Sequence, residues 1–384
     1  MPNSSVSLPD EYLSSAEFRT HFPHLAELSH FDSCSQGALS LEMSYALDDL
    51  KRSIHLHAAP WGEWMAKVEE LRAEFADFIN TTPDHIAIVP SASAGAYQVA
   101  SAFRWDGGQI MTSDLEFPSV ANVLHAQQRN GAEIDFIDDR DSAVHAETWI
   151  SRMTGKTKLV SVPLVSYHDG ARPELEPIIG HAREKGVVTF VDAYQGAGTV
   201  PLDVQQLQCD YLTTGSLKYL LGLGGVAFLY VRDIAVADKL PEFTGWFGRP
   251  DPFAFDPRDT AYAPNARRFE SGTPAVPAVY ASLAGLRLLR RARQSDVVEH
   301  VASMREELST GVRELGIEVS GPTSPERRGP QVALKLHDPD GTAARLAEEG
   351  VYAAPRNDLL RMSLHYYTNG ADIERALAAL KKLV

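Results

Sequence analysis

Seven short apolar segments between residues 86 and 231 limit the folds open to this chain more than any other feature. They are rich in β-branched residues, and most are separated by stretches with helical spacing, such as 173–186. Apolar strands alternating with amphipathic helices are typical of a mostly parallel sheet covered by helices on both faces. We therefore predict an α/β fold that binds its ligand at the carboxyl ends of the strands. The predicted strands are 86–89, 109–113, 133–137, 158–165, 187–193, 211–216 and 226–231.

The segments around these strands divide the chain into an arm, a large domain and a small domain. Residues 1–40 are polar and irregular, which indicates an N-terminal arm. Residues 41–255 hold the predicted sheet and, before it, two helices within 44–79. The proline-rich segment 248–264 interrupts the alternation and marks a boundary. Residues 265–384 are predicted to form a smaller α+β domain, with helices within 276–315, a strand at 331–336 and a closing helix from Ala371.

Charge and cysteine content exclude several classes of function. Lys and Arg number 36 against 51 Asp and Glu, so the formal net charge is −15. This charge repels nucleic acids and anionic membranes, which leaves a small molecule as the expected ligand. The longest apolar run, 219–231, is shorter than the roughly 20 residues of a membrane-spanning helix. Cys34 and Cys209 are too few for a disulfide framework and fit a reducing cytoplasm. No third ligand accompanies His55 and His57, so we predict no metal site.

A strand followed by small residues and a helix, at 86–101, is the first candidate for binding chemistry. Ser93 and Ala94 fall in the first turn of this helix, where backbone N–H groups lack partners and bind anions such as phosphate. An ordinary capped turn has the same composition and stays an alternative. The segment 91–95 also differs from the nucleophile elbow G-x-S-x-G only at its first glycine, so a serine hydrolase with Ser93 as nucleophile is a further alternative.

Asp192 and Lys218 each follow a hydrophobic strand and are the next candidates. The Asp192 carboxylate either caps the following turn or pairs with a buried cation. Lys218 precedes a glycine-rich turn, and a low-dielectric position there would lower its pKa as Schiff-base formation requires, although a solvated loop lysine stays an alternative. Pyridoxal phosphate needs a phosphate cradle, a carboxylate at its pyridine nitrogen and a lysine for its aldehyde. Ser93, Asp192 and Lys218 supply these groups in that order.

These residues lie in motifs that resemble the class V aminotransferases, which belong to the fold-type I pyridoxal phosphate enzymes. The segment VDAYQGAGTVPLDV at 191–204 is similar to the family's Asp-x-x-Gln/His strand. The resemblance implies that Asp192 contacts the pyridine nitrogen and Gln195 the phenolic oxygen of the cofactor. SLKYL at 216–220 resembles the Ser-x-Lys signature, which implies Ser216 on the phosphate and Lys218 as the Schiff-base lysine.

Three further motifs extend the resemblance to the rest of the pocket. RRFESGTP, ending at Pro274, is similar to a family motif whose threonine, here Thr273, reaches the phosphate of the neighbouring subunit, which implies a homodimer. SDLEFPSV implies that Phe117 stacks on the pyridine ring. LRMSLHYYTNGADI implies that Arg361 binds the substrate α-carboxylate as a bidentate clamp. Cys34 lies in FDSCSQGAL, which is similar to the family's N-terminal segment at the mouth of the active site, and this implies a substrate contact or a reactive thiol. A buried, inert thiol is the alternative.

Departures from the family pattern narrow the expected reaction. The segment 350–361 lacks the nucleophilic cysteine loop of cysteine desulfurases, so sulfur transfer is not expected. Trp246 lies in a segment that resembles the kynureninase substrate loop, but Leu217 stands where kynureninases carry a tyrosine. We therefore expect an aminotransferase-like enzyme that acts at Cα of a small α-amino acid. A carbon–sulfur lyase acting on cysteine derivatives, a kynureninase-like hydrolase and an epimerase are the alternatives.

Overall fold

The strands form two sheets in a computed structural model that describes residues 12–234 and 239–383. In chain order the strands are β1 Ser29–Phe31, β2 Ile86–Val89, β3 Gln109–Ser113, β4 Glu133–Ile137, β5 Thr157–Pro163, β6 Val188–Asp192, β7 Tyr211–Gly215, β8 Ala227–Val231, β9 Gln331–Lys335, β10 Val351–Arg356 and β11 Leu359–Ser363. The helices are α1 Ser15–Arg19, α2 Leu41–His57, α3 Trp61–Phe78, α4 Ala92–Ser101, α5 Pro118–Ala126, α6 Arg140–Ala143, α7 Ala146–Arg152, α8 Leu175–Glu184, α9 Val204–Leu207, α10 Val276–Arg290, α11 Gln294–Glu314, α12 Pro339–Glu348 and α13 Gly370–Leu380.

The large sheet has seven strands in the order β2-β8-β7-β6-β5-β3-β4. All neighbouring strands are parallel except β8, which is antiparallel to both β2 and β7. Side chains of β8 alternate between two hydrophobic cores: Phe228 packs into one, and Leu229 and Val231 pack into the other. This alternation is the expected result of a strand period of two in a sheet that is covered on both faces. The predicted mostly parallel α/β sheet is confirmed.

Three strand ends lie at one level at the carboxyl edge of this sheet. In the strand pairing, Asp192 at the end of β6 is opposite Pro163 of β5 and Thr213 of β7. Parallel strands present their carboxyl ends along one edge, where the following loops meet. The register therefore brings the loops after β5, β6 and β7 together around Asp192.

The small sheet joins the beginning and the end of the described chain. Its order is β1-β10-β11-β9, and β1 is parallel to β10. The region predicted to be irregular thus contributes a short helix and a strand, and it buries the side chains of Phe18, Phe22 and Phe31. Elements of three to five residues are too short to show a hydrophobic period, which explains why the sequence does not reveal them.

Helices α2 and α3 pack against α10, which links the region before the large sheet to the region after it. The break between α2 and α3 falls at 58–60, where the sequence predicts it. Within the described residues, every helix is too short or too polar to cross a membrane.

Candidate active site

A small cavity lies at the carboxyl edge of the large sheet, beside Lys218. Its walls come from the ends of β5 and β6, from the segment before α5 and from the loop after β7. The lining residues are Phe117, Pro163, Val165, Tyr167, Asp192, Tyr194, Gln195 and Lys218. The sequence-predicted residues Phe117, Asp192, Gln195 and Lys218 therefore meet at one place.

Lys218 lies between two aromatic rings. Its Nζ is 4.3 Å from the centroid of the Tyr194 ring and 5.6 Å from that of Phe117. Among the residues that the structure describes, none forms an ion pair with this ammonium. Burial lowers the pKa of Lys218 to about 8, although the Asp192 carboxylate acts in the opposite direction. Near neutral pH a useful fraction of this amine is therefore unprotonated and nucleophilic.

Asp192 is held rigidly at the end of β6. Its Oδ1 accepts a hydrogen bond of 2.8 Å from the backbone N–H of Tyr194. Burial raises the pKa of Asp192, and the Tyr194 N–H, Lys218 and a hydrogen bond with Glu116 oppose that shift. Gly215 makes room for the adjacent ring, because a Cβ at this position would lie 2.1 Å from Cζ of Tyr194. Tyr194 and Glu116 are both absent from the sequence predictions.

Phe117 presents an open ring face beside the cavity. It immediately precedes α5, and 37% of its surface is exposed. Its ring is perpendicular to that of Tyr167, with centroids 5.2 Å apart. This edge-to-face contact fixes the orientation of the ring and leaves a face free to stack on a planar ligand.

Ser93 lies where the amino ends of α4 and α5 meet. Its Oγ is 2.5 Å from Oγ of Ser119, a residue that the sequence analysis did not single out. The Ala94 N–H donates to Oγ of Ser91 at 3.1 Å, so the predicted free amide of Ala94 is already capped. Within the described chain, no histidine or carboxylate hydrogen-bonds to Ser93. A serine-hydrolase triad therefore has no general base here.

Ser216 and Gln195 differ in whether their side chains are free to bind a ligand. The Ser216 hydroxyl is 2.8 Å from the backbone oxygen of Leu223 and accepts a hydrogen bond from Ser282, also at 2.8 Å. These bonds satisfy the Ser216 hydroxyl within the fold, and its contact with the phosphate stays a prediction. Gln195 donates through Nε2 to the backbone oxygen of Cys34 at 3.2 Å, while its buried Oε1 has no partner. The N-terminal arm therefore closes one side of the site through Cys34.

Arg361, on β11, is a buried guanidinium without a carboxylate partner among the described residues. It is 2% exposed, and its Nη1 donates to the backbone oxygen of Tyr167 at 2.7 Å. Its Nε is buried and has no hydrogen-bond partner. The cation is close enough to Lys218 to contribute to lowering the pKa of that lysine. A carboxylate entering the cavity would satisfy both the charge and the free donor.

Ser93, Ala94, Ser216, Arg361 and Cys34 do not line this cavity, and neither do Thr273 and Trp246. Thr273 is exposed on the segment before α10. Trp246 belongs to a separate aromatic cluster, where its ring centroid is 5.8 Å from those of Trp61 and Phe255. In the ranges that the structure describes, no group of three or more His, Cys, Asp or Glu residues is arranged to hold a metal ion.

Comparisons with known proteins identify a family that this chain resembles along most of its length. The model of the family described as "Aminotransferase class-V" matches residues 49–375. A protein from Bacillus subtilis (strain 168), named "Uncharacterized aminotransferase YcbU", is 36% identical over 372 residues, which is 96% of each chain. A kynureninase from Deinococcus radiodurans is 26% identical over 383 residues and covers 95% of this chain and 92% of its own.

Solved structures agree on the fold. A complex of the cystine C-S lyase C-DES with cysteine persulfide superimposes with a TM-score of 0.87 at 25% identity and covers 94% of this chain and 99% of that one. The apo cysteine desulfurase of Thermococcus onnurineus NA1 gives a TM-score of 0.85 at 22% identity, with 99% of both chains covered. The predicted fold-type I architecture is confirmed. The match to the family model and the 36% identical relative show that this chain is an enzyme of the class-V aminotransferase family, to which its motifs point.

Proposed function

We propose that this chain is a pyridoxal-phosphate-dependent enzyme that acts at Cα of a small α-amino acid in an aminotransferase-like reaction. The observation that carries the proposal is the buried, uncompensated guanidinium of Arg361 beside a lysine whose pKa is about 8. A cation without a partner in a protein interior is costly unless a ligand supplies the opposite charge. An amino acid carries a carboxylate of the right charge and size next to the carbon where the chemistry occurs.

The residues around Lys218 fit the cofactor. The open face of Phe117 suits a flat pyridine ring, the Asp192 carboxylate suits its protonated nitrogen, and Gln195 is close enough for its phenolic oxygen. The joined amino ends of α4 and α5, with Ser93 and Ser119, offer hydroxyl and N–H donors to a phosphate. When bound, pyridoxal phosphate supplies an electron sink for the electron pair left at Cα when a bond to that carbon breaks.

Lys218 and Arg361 would carry out the steps that the protein itself supplies. Lys218 would hold the cofactor through its unprotonated amine, and the same amine, when free, would take the proton from Cα of the substrate. Arg361 holds the α-carboxylate through two parallel hydrogen bonds and thereby sets which bond at Cα faces the cofactor ring. The tight packing of Arg361 under Tyr167 reduces the entropy lost on binding.

Transamination is the favoured outcome because the features of two competing reactions are missing. The region of β10 and β11 carries no cysteine for persulfide chemistry, and Leu217 replaces the tyrosine expected of a kynureninase. The name of the 36% identical relative supports an aminotransferase. A carbon–sulfur lyase is the second candidate, and the close superposition with the cystine C-S lyase supports it.

A homodimer in a reducing cytoplasm is the proposed state of the enzyme. Both described cysteines are buried and unpaired, which suits such a compartment. Thr273 is exposed rather than directed into its own cavity, as a residue that reaches a neighbouring subunit would be. Phe253 and Phe255, 45% and 72% exposed, extend an apolar surface around Trp246 that a second subunit would cover. Light scattering should give twice the chain mass, and an active monomer would contradict the dimer.

A screen of L- and D-amino acids against the cofactor-loaded protein tests the reaction. Keto-acid formation with conversion of the cofactor to its pyridoxamine form supports transamination. Pyruvate and sulfide from cysteine derivatives, without the pyridoxamine form, would replace it with the lyase. Loss of optical rotation without either product would replace it with an epimerase.

A further inference from the structure

Glu116 is a buried carboxyl group that has no part in the function described so far. It is 3% exposed and immediately precedes Phe117. The backbone N–H of Phe117 donates to its Oε1 at 3.0 Å, and the Ser161 hydroxyl donates to its Oε2 at 2.9 Å. The carboxyl of Asp192, which is itself 5% exposed, lies close enough to act on the Glu116 carboxyl. Two carboxyl groups from distant parts of the chain therefore meet under the cavity.

Such a pair retains one proton at neutral pH. Two adjacent carboxylates in a low-dielectric interior repel each other strongly, so one of them stays neutral. The two carboxyl groups differ in their charged neighbours. Lys218 acts on Asp192 and favours its ionised form, whereas no described cation forms an ion pair with Glu116. Burial, followed by the Asp192 charge, raises the pKa of Glu116 well above its usual value.

We propose that Glu116 is a positioning residue that stays protonated and donates its hydrogen bond to Asp192. The bond fixes the Asp192 carboxylate in the orientation in which it meets the pyridine nitrogen, together with the bond from the Tyr194 N–H. The bonds from Phe117 and Ser161 suit a neutral carboxyl as well, since its oxygens keep lone pairs. Glu116 also ties this orientation to the stacking residue Phe117. The inference rests on the proposed role of Asp192.

Three variants of the full chain separate a protonated Glu116 from an ionised one. Glu116→Gln keeps a neutral side chain with an N–H donor toward Asp192. Glu116→Leu removes the donor while filling the space. Ser161→Ala removes a different hydrogen bond from the same place and serves as the matched control. Circular dichroism of each cofactor-free variant reports whether it is folded.

The first measurement is the dissociation constant for pyridoxal phosphate. We expect Glu116→Gln and Ser161→Ala to bind like the wild type and Glu116→Leu to bind about tenfold more weakly, because Asp192 loses a donor to its charged oxygen. If Glu116→Gln binds pyridoxal phosphate as weakly as Glu116→Leu does, the proposal is overturned, because an ionised carboxylate would then be required at this position. A wild type that binds no cofactor would instead contradict the proposed function.

The second measurement uses cofactor-free protein and does not depend on catalysis. A carboxyl whose pKa is raised by folding contributes stability that is fully present below its unfolded pKa of about 4.3 and is lost as pH rises through the folded value. The melting temperature of Glu116→Gln minus that of the wild type should therefore increase as pH rises from 5 to 9. Lys218 and Tyr194 titrate in both proteins, whereas Asp192 interacts with Glu116, so the difference reports the proton that this carboxyl pair shares. A difference that does not change with pH would contradict a protonated Glu116.

Discussion

Arg72 and Arg361 are both 2% exposed, yet their surroundings are opposite. Arg72, on α3, forms ion pairs with Glu270 and Glu69 and also donates to the backbone oxygen of Ile86 at 2.7 Å. Within the described ranges, Arg361 has a single hydrogen bond, to a backbone oxygen, and an unpartnered Nε. The first arginine has carboxylate partners within the fold, whereas the described residues offer the second none.

The presence or absence of carboxylate partners also decides how burial changes the pKa of a basic group. Burial by itself lowers the pKa of Arg72, but the charges of Glu270 and Glu69 outweigh it and raise the pKa. Lys218 has no ion-pair partner within the described chain, and burial lowers its pKa to about 8. Removing a buried cation from its carboxylates is strongly destabilising, whereas a basic group with a perturbed pKa and no carboxylate partner is a candidate for chemistry. The predictions below test this distinction.

Lys218→Ala should have the largest effect. Without the amine, the protein has no covalent attachment point and no base for the Cα proton, so turnover should fall by about 10³-fold or more. The visible absorbance of the attached cofactor should vanish as well. Lys156→Ala, which removes an exposed lysine paired with Glu133, is the control and should keep both. Retained colour and turnover in Lys218→Ala would refute the proposed site.

Arg361→Ala should lower kcat/KM by about 10²-fold or more, the size of a lost charge-assisted clamp. Its free energy of unfolding should change little, because no carboxylate of the described protein is left unpaired. Arg361→Lys should recover only part of the activity, since an ammonium cannot form the two parallel bonds. The exposed Arg313→Ala is the control. A loss of stability without a change in kcat/KM would make Arg361 a structural residue like Arg72.

Arg72→Met should show the reverse pattern. The unfolding free energy should drop by about 3–5 kcal/mol, because Glu270 stays buried without its cation. The double variant Arg72→Met with Glu270→Gln should recover part of the loss, since the amide oxygen can still accept the N–H of Ile88. Denaturant unfolding measures both. Full stability in the single variant would show that buried pairing does not separate the two arginines.

Attachment of pyridoxal phosphate to the cofactor-free protein should depend on pH through Lys218. The reactive amine is the unprotonated form, so the rate should rise about tenfold per pH unit below 8 and level off above it. Stopped-flow absorbance between pH 6 and 10 measures the profile. A rate that keeps rising past pH 10, as for an ordinary lysine, would mean that the cavity does not perturb the amine.

The sequence predicts the large sheet well and the small sheet poorly. Strands β2 to β8 agree with the predicted ranges to within two residues at each end, because a strand buried on both faces is an uninterrupted apolar run. Strands β10 and β11 were not predicted, since Pro355 and Arg356 interrupt the apolar pattern of β10. The pairing of β1 with β10 joins residues more than 300 positions apart and leaves no local signal.

The sequence also predicts the candidate site only in part, because it does not reveal contacts between distant residues. Sequence motifs identify residues that occur at a fixed spacing, such as Asp192, Gln195 and Lys218. The structure places these three residues in one cavity. The proximity of Glu116 and Asp192 depends on how β3, β5 and β6 pair in the sheet, which no short motif contains. Ser216 matches its motif, and its hydroxyl bonds to the backbone and Ser282 within the fold.

Locating the point at which the cofactor is attached tests the proposed role of Lys218. Protein loaded with pyridoxal phosphate is treated with borohydride, which makes the linkage permanent, and the digested peptides are sequenced by mass spectrometry. The unpaired, half-buried Lys218 should carry the modification in nearly every molecule, while the lysines that are exposed or paired with carboxylates should carry almost none. A modification spread over surface lysines, or located at any single lysine other than Lys218, would contradict the account.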